Sequence, residues 1–221
     1  LKRQHIFLAL SRPRSGREDE FHQWYDSHHL QDVVDLCPGF ERGFRAWATD
    51  DRPVGDLLQW PSLAIYELRE NDVAAIHRDV TRNAKDFTPS NGVFEDDHVA
   101  WVYSPVDGDA PAPDIFGDAT RNRDGTHTLL AFGNDLPNKR SIVHDGIDLN
   151  VDLLEANADQ RGGITLPWRQ LAKVSFRDAD PEAVAGAFGA QFFPEAMRIY
   201  RQIGPIALGG SADTPSERNA E

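Results

Sequence analysis

From Glu20 to Phe40 the chain reads Glu-Phe-His-Gln-Trp-Tyr-Asp-Ser-His-His-Leu-Gln-Asp-Val-Val-Asp-Leu-Cys-Pro-Gly-Phe, interleaving acid–base groups with aromatic ones. On a regular helix Tyr25 and His29 lie one turn apart on one face. His28 lies one turn beyond Trp24 and two beyond Phe21, and Asp32 follows three or four residues after both histidines. An imidazole partly removed from water titrates near neutrality and can give or take a proton. A carboxylate one turn away favours the imidazolium or fixes a tautomer. A tyrosyl hydroxyl can hold a carbonyl or phenol oxygen, and Trp24 and Phe21 supply flat apolar wall for an aromatic or polyketide-like molecule. The expected roles are His29 as general acid or base, Tyr25 as hydrogen-bond donor, and His28 and Asp32 as groups that tune or orient His29. Asp26 falls at the edge of the inward stripe, placed to cap or to pair with an arginine. The competing reading is a hydrogen-bonded His-Tyr-Asp network that only stabilises the fold.

Other side chains fit the same site with less force. Arg45 and Trp47 share one face of a strand. If that face turns into a barrel, Arg45 binds a ligand oxyanion; if it lies at the rim, Arg45 pairs with an acid. Trp101 and Tyr103 share a strand face and either line a cavity or fill a core. His22 and His29 are two turns apart and His28-His29 are adjacent, spacings that do not put two ligands on one metal from a regular helix. No metal site is expected on this helix, a site built from His77, His98, His127 or His144 stays open as an alternative, and the leading expectation is chemistry without an organic cofactor. Gly-x-Ser-x-Gly, P-loop and Gly-x-Gly-x-x-Gly patterns are absent, which removes support for serine hydrolase, nucleotide hydrolase and dinucleotide chemistry.

These residues need elements to hold them. Gln4–Ser11 is short, apolar and closed by Pro13 and Gly16, the pattern of a strand buried on both faces. Residues 17–36 carry a helical period that ends at Pro38-Gly39. Strands are expected over Phe40–Ala48, with Phe40, Arg42, Phe44 and Ala46 on one side, over Ser62–Leu68 and over Val99–Tyr103. A helix capped by Asn71 or Asp72 runs to about Ala84. The order β-α-β-β-α-β is the ferredoxin-like arrangement. After a Pro-, Gly- and Asp-rich linker at 105–125 the same order is expected to return. It comprises a strand at Thr126–Phe132, a helix at Asp148–Asp159, a strand at Gln170–Phe176, a helix from Asp180-Pro181 and a strand at Gln202–Leu208. The expected organisation is thus an N-terminal half (1–104), the linker, a degenerate second half (126–209) and a polar tail (210–221). Tandem ferredoxin-like halves with their open sheet faces packed together form a pseudo-dimeric α+β barrel.

The run Phe21-x-x-Trp24-Tyr25-Asp26-x-x-His29-Leu30, followed by Pro38-Gly39-Phe40 and Arg45, resembles the EthD-like dimeric α+β barrel superfamily over about residues 4–104. Matched to that pattern, the family histidine falls on His29 rather than His28. The resemblance implies the same fold. It also implies cofactor-free isomerases, dehydratases, decarboxylases or monooxygenases acting on small, often aromatic molecules. Two departures stand out: the second half has no Trp-Tyr-Asp-x-x-His equivalent, and Cys37 stands before the Pro-Gly turn.

The bulk composition sets outer limits. The 221 residues are 40% hydrophobic and 27% charged, enough for a sizeable core. A net charge of −13 disfavours phosphate backbones and anionic membranes, so neither nucleic acid nor membrane is expected as a partner. The single cysteine, Cys37, rules out an internal disulfide and fits a reducing, cytoplasmic setting. The acidic clusters Asp50-Asp51 and Glu95-Asp96-Asp97 read as solvated loops. A small aromatic substrate is the expected partner, and a homodimer is compatible with a chain that completes its own barrel.

Overall fold

The structure, a computed structural model, describes residues 5–49, 53–69, 72–106, 125–157 and 166–209. Its centre is a closed antiparallel barrel of eight strands in the order β1-β3-β2-β10-β5-β9-β8-β4. The N-terminal strands are β1 (His5–Ser11), β2 (Phe40–Ala48), β3 (Ser62–Leu68) and β4 (Val99–Pro105). The C-terminal ones are β5 (His127–Gly133), β8 (Asp152–Ala156), β9 (Gln170–Phe176) and β10 (Ala196–Leu208). Two seams join the quartets: β2 pairs with β10 and β4 with β8. Within each quartet the spatial order is fourth, first, third, second. The barrel leaves no edge strand to be covered.

Side-chain alternation sorts the core into an interior and two outer layers. Along β1, Ile6, Leu8 and Leu10 point inward, where Trp60, Trp101, Phe132, Trp168 and Tyr200 also pack. Phe7 and Ala9 point outward, beneath α1 (Glu18–Trp24), α2 (Leu30–Leu36) and α3 (Val73–Asn83). On the far side α4 (Pro181–Phe192) and the hairpin β6 (Ser141–His144)–β7 (Ile147–Asn150) cover the C-terminal strands. Asp72 and Asp180 cap α3 and α4, each accepting from the N–H three residues on, and Pro181 occupies the first turn of α4. Among the described residues no helix is long and apolar enough to cross a membrane.

Three expectations change. Residues 148–159 are not helical: the described part forms β7 and β8. Leu153 faces the outer layer and Leu154 the barrel interior, so these adjacent leucines belong to a strand buried on both sides. Asp145 and Gly146 both have positive φ, the geometry of a two-residue hairpin turn, and they set the β6–β7 pairing. Secondly, a β-bulge between Phe40 and Arg42 puts Phe40 on the outer face against Phe7 and Tyr66, while Phe44 and Ala46 face inward. Thirdly, the last strand begins at Ala196, well before Gln202. Most of the expected linker (107–124) and the tail (210–221) lie outside the described residues.

Candidate active site between the first helix and the outer sheet face

The segment from Glu18 to Leu36 is helical throughout, but Tyr25–His29 forms a π turn in which the Leu30 N–H donates to the Tyr25 carbonyl five residues back. The extra residue resets which side chains meet. On a regular helix the neighbour of Trp24 would be His28; here it is His29, whose ring stacks on the indole at 4.4 Å and 18°. His28 is exposed and does not line the cavity below, which corrects the expectation that it tunes His29.

Beneath this turn lies a cavity of about 320 Å3. Its floor is the outer face of β1, β3 and β4, including Ala9, Ser11, Tyr66 and Ala100; its wall is Phe21, Trp24, Tyr25 and His29. Phe87, Thr88, Phe94 and His98 close the remaining sides. The small floor residues explain the space: alanines and serine stand where larger side chains would fill the gap between helix and sheet. The hollow lies on the outside of the barrel, because the interior is filled by large aromatic and aliphatic side chains.

His29 sits in an aromatic box, stacked on Trp24 and edge-on to Tyr25 (4.9 Å) and Phe87 (5.6 Å). Its Nδ1 is buried and has no hydrogen-bond partner. Burial pushes its pKa down to about 4, against the opposing pull of Asp32. The imidazole is therefore neutral at pH 7. Burial also raises Tyr25, which is hydrogen-bonded to Tyr66, and raises Tyr66 well above the ordinary phenol value. Tyr66 can lie across β2 because position 43 is glycine; a Cβ there would come within 2.5 Å of the Tyr66 ring.

Asp32 does not hydrogen-bond His29. Its Oδ2 accepts from the Thr88 N–H at 2.7 Å, and Trp24 Nε1 donates to the Thr88 carbonyl at 3.0 Å. The two contacts fasten the 87–90 segment over the cavity. Asp32 thus acts on His29 through its charge and on the cavity through the loop.

Arg45 is fully buried on the outer face of β2, not inside the barrel. It donates to Asp26 Oδ1 at 2.6 Å, and its guanidinium lies 4.3 Å from the Tyr25 ring centroid. It does not line the cavity and so does not hold a ligand oxyanion there. The alternative of an acidic partner is the observed one. Trp47 shares that face but packs on His22 at 4.5 Å, away from the cavity lining. Trp101 points into the barrel core with Tyr103. Phe21, Trp24, Tyr25 and His29 are thus brought together, while Arg45, Trp47 and Trp101 serve packing and charge. Cys37 is buried, with its thiol pushed up to about 11 by desolvation, and is unreactive at neutral pH.

Sequence reasoning missed Ser11, Tyr66, Thr88 and His98 as cavity residues. Alternation on β1 and β3 would have assigned Ser11 and Tyr66 to the helix-facing side with Phe7, given the correct face for the hollow. Thr88 and His98 lie in irregular chain, where no periodicity applies.

The fold and this outer cavity define an α+β-barrel protein. No family model and no curated protein matches the sequence. Among solved structures the chain is similar to an anthrone oxidase-like protein, with a TM-score of 0.52 and 10% identity over 96% of this chain and 95% of that one. It is also similar to a candidate monooxygenase from Lactobacillus acidophilus (TM-score 0.44, 9% identity, 94% and 97% covered). A third similar structure is a candidate chlorite dismutase (TM-score 0.49, 7% identity, 92% and 96% covered). At such identities the likeness concerns the fold alone.

Proposed function

We propose that the chain is an EthD-like enzyme that performs acid–base chemistry on a small aromatic or polyketide-like molecule in the helix–sheet cavity. The observation that carries this reading is a neutral imidazole with an unpartnered, buried Nδ1 on the wall of an aromatic cavity large enough for a small ligand. His29 takes a proton from a carbon next to a carbonyl. Tyr25, hydrogen-bonded to Tyr66, offers its hydroxyl to the enolate oxygen as charge develops. Returning the proton to another carbon gives an isomerase; handing it to a neighbouring hydroxyl, which leaves as water, gives a dehydratase; adding dissolved dioxygen to the carbanion, with one oxygen kept on carbon and the other lost as water, gives a monooxygenase. An imidazole whose conjugate acid has a pKa of about 4 is a weak base, so it suits a carbon acid whose anion is delocalised into an aromatic phenolate. The likeness to an anthrone oxidase-like protein makes anthrone the first probe.

His29→Gln should lower turnover by about 100-fold or more and, at pH 7, leave the melting temperature unchanged. The second reading, a non-catalytic binding protein, draws on Asp32 and Trp24, whose hydrogen bonds are spent on Thr88. It predicts the reverse outcome, full turnover or none in both proteins and a lowered melting temperature in the variant. The same reading of the chain takes the two strand quartets, with their shared order, as tandem ferredoxin-like halves at 1–104 and 126–209, the second having a hairpin in place of its first helix. A cytoplasmic setting fits the single, buried Cys37.

A further inference from the structure

We propose that Ser11 is a ligand-binding residue, its hydroxyl holding an oxygen of a flat, uncharged molecule that lies between the β1–β4 floor and the His29 wall. The inference rests on the cavity being the ligand site. Ser11 is the last residue of β1, and alternation with Phe7 and Ala9 aims it at the helix layer. It is only 7% exposed, yet its Oγ has no hydrogen-bond partner. It lines the same cavity as His29, whose Nδ1 is also without one. A buried polar atom left unpaired is costly, and native proteins leave few of them. Two on the walls of one hollow point to a ligand that supplies both partners.

The charge of that ligand follows from what is absent from the lining. Among the described residues that line the cavity there is no Asp, Glu, Lys or Arg. Arg45, whose guanidinium lies 4.3 Å from the Tyr25 ring, is already paired with Asp26. A carboxylate or phosphate entering the hollow would lose its hydration with no counter-charge to meet it. A neutral ketone or phenol loses little and gains aromatic contact with Trp24 and Phe94, whose rings are themselves parallel within 16° at 5.5 Å.

Ser62 provides an internal control. It faces Ser11 across the β1–β3 ladder, is fully buried and has an equally unpartnered hydroxyl, but it does not line the cavity. The experiment measures binding of anthrone and of anthraquinone-2-carboxylate by tryptophan fluorescence in the intact protein, Ser11→Ala and Ser62→Ala, with melting temperatures alongside. The account expects anthrone to bind at least about tenfold more tightly than the carboxylate. It expects Ser11→Ala to weaken anthrone about fivefold to tenfold, the loss of one hydrogen bond. Ser62→Ala should leave binding unchanged, and neither variant should melt lower. Equal binding by Ser11→Ala and the intact protein would overturn the Ser11 assignment while leaving the cavity reading in place. A carboxylate bound as well as anthrone would overturn the neutral-ligand claim. If the intact protein binds neither probe, the cavity reading fails and this inference fails with it.

Discussion

At the scale of single residues, His29 is the group whose protonation the fold controls most visibly. Its pKa is about 4 in the folded chain against 6.5 for a free histidine, because burial penalises the cation. Between those values the unfolded chain binds more protons than the folded one, so stability rises with pH there and is lost as pH falls from about 6.5 toward 4. The full shift corresponds to about 3 kcal/mol. Denaturation midpoints measured from pH 7 to pH 4 should fall steeply for the intact protein and more gently for His29→Gln. Parallel curves would contradict the assigned shift. The same pKa places the acid limb of kcat/KM near about 4, not near the ordinary histidine value. The sequence made His29 and its aromatic neighbours legible because residue type and spacing carry chemistry directly. It could not separate His28 from His29 by helical periodicity, since one inserted π residue moves the stack with Trp24 by a position.

At the scale of elements, the first helix is held to the sheet by a charge that the sequence hinted at in two separate places. Asp26 leaves the helix edge to meet the fully buried Arg45. It fits because Gly204 in β10 has no side chain: a Cβ there would sit 2.6 Å from Asp26 Oδ1, and φ at Gly204 is +67. Removing one partner of such a pair strands the other charge. Asp26→Asn should therefore cost about 3 kcal/mol in urea unfolding, the low end for buried pairs because Asp26 keeps part of its exposure. Gly204→Ala should cost about 1–3 kcal/mol, combining a left-handed backbone with the lost space. A neutral result for either would mean the helix is not seated through this contact. Pairing of Asp26 with an arginine could be read as an option from its position off the apolar stripe. Gly204 could not, since its role exists only where β10 bulges between Ile203 and Ile206. The hairpin at Asp145-Gly146 was legible in principle from its turn dipeptide, but the leucines after it fitted a helical spacing equally well.

At the scale of the whole molecule, one chain closes the barrel through the β2–β10 and β4–β8 seams, so neither quartet of strands has a free edge of its own. Calorimetry should accordingly give one cooperative transition, with equal calorimetric and van't Hoff enthalpies. Two resolved transitions would mean the halves are separate folding units. The strand and helix order of the N-terminal half was readable from periodicity, caps and turn residues. What periodicity does not encode is which side of a two-sided sheet is filled. That depended on the sizes of Trp60, Trp101, Phe132, Trp168 and Tyr200 inside against Ala9, Ser11 and Ala100 outside. The candidate site therefore lies on the helix side of the sheet and not in the barrel interior. The most direct test is a crystal structure of the protein with anthrone bound. The account predicts the ring system between Trp24, His29 and the Ala9–Ala100 floor, with its oxygen in reach of Ser11 or Tyr25. A ligand seated inside the barrel, or in the cleft between the β6–β7 hairpin and α4, would contradict it.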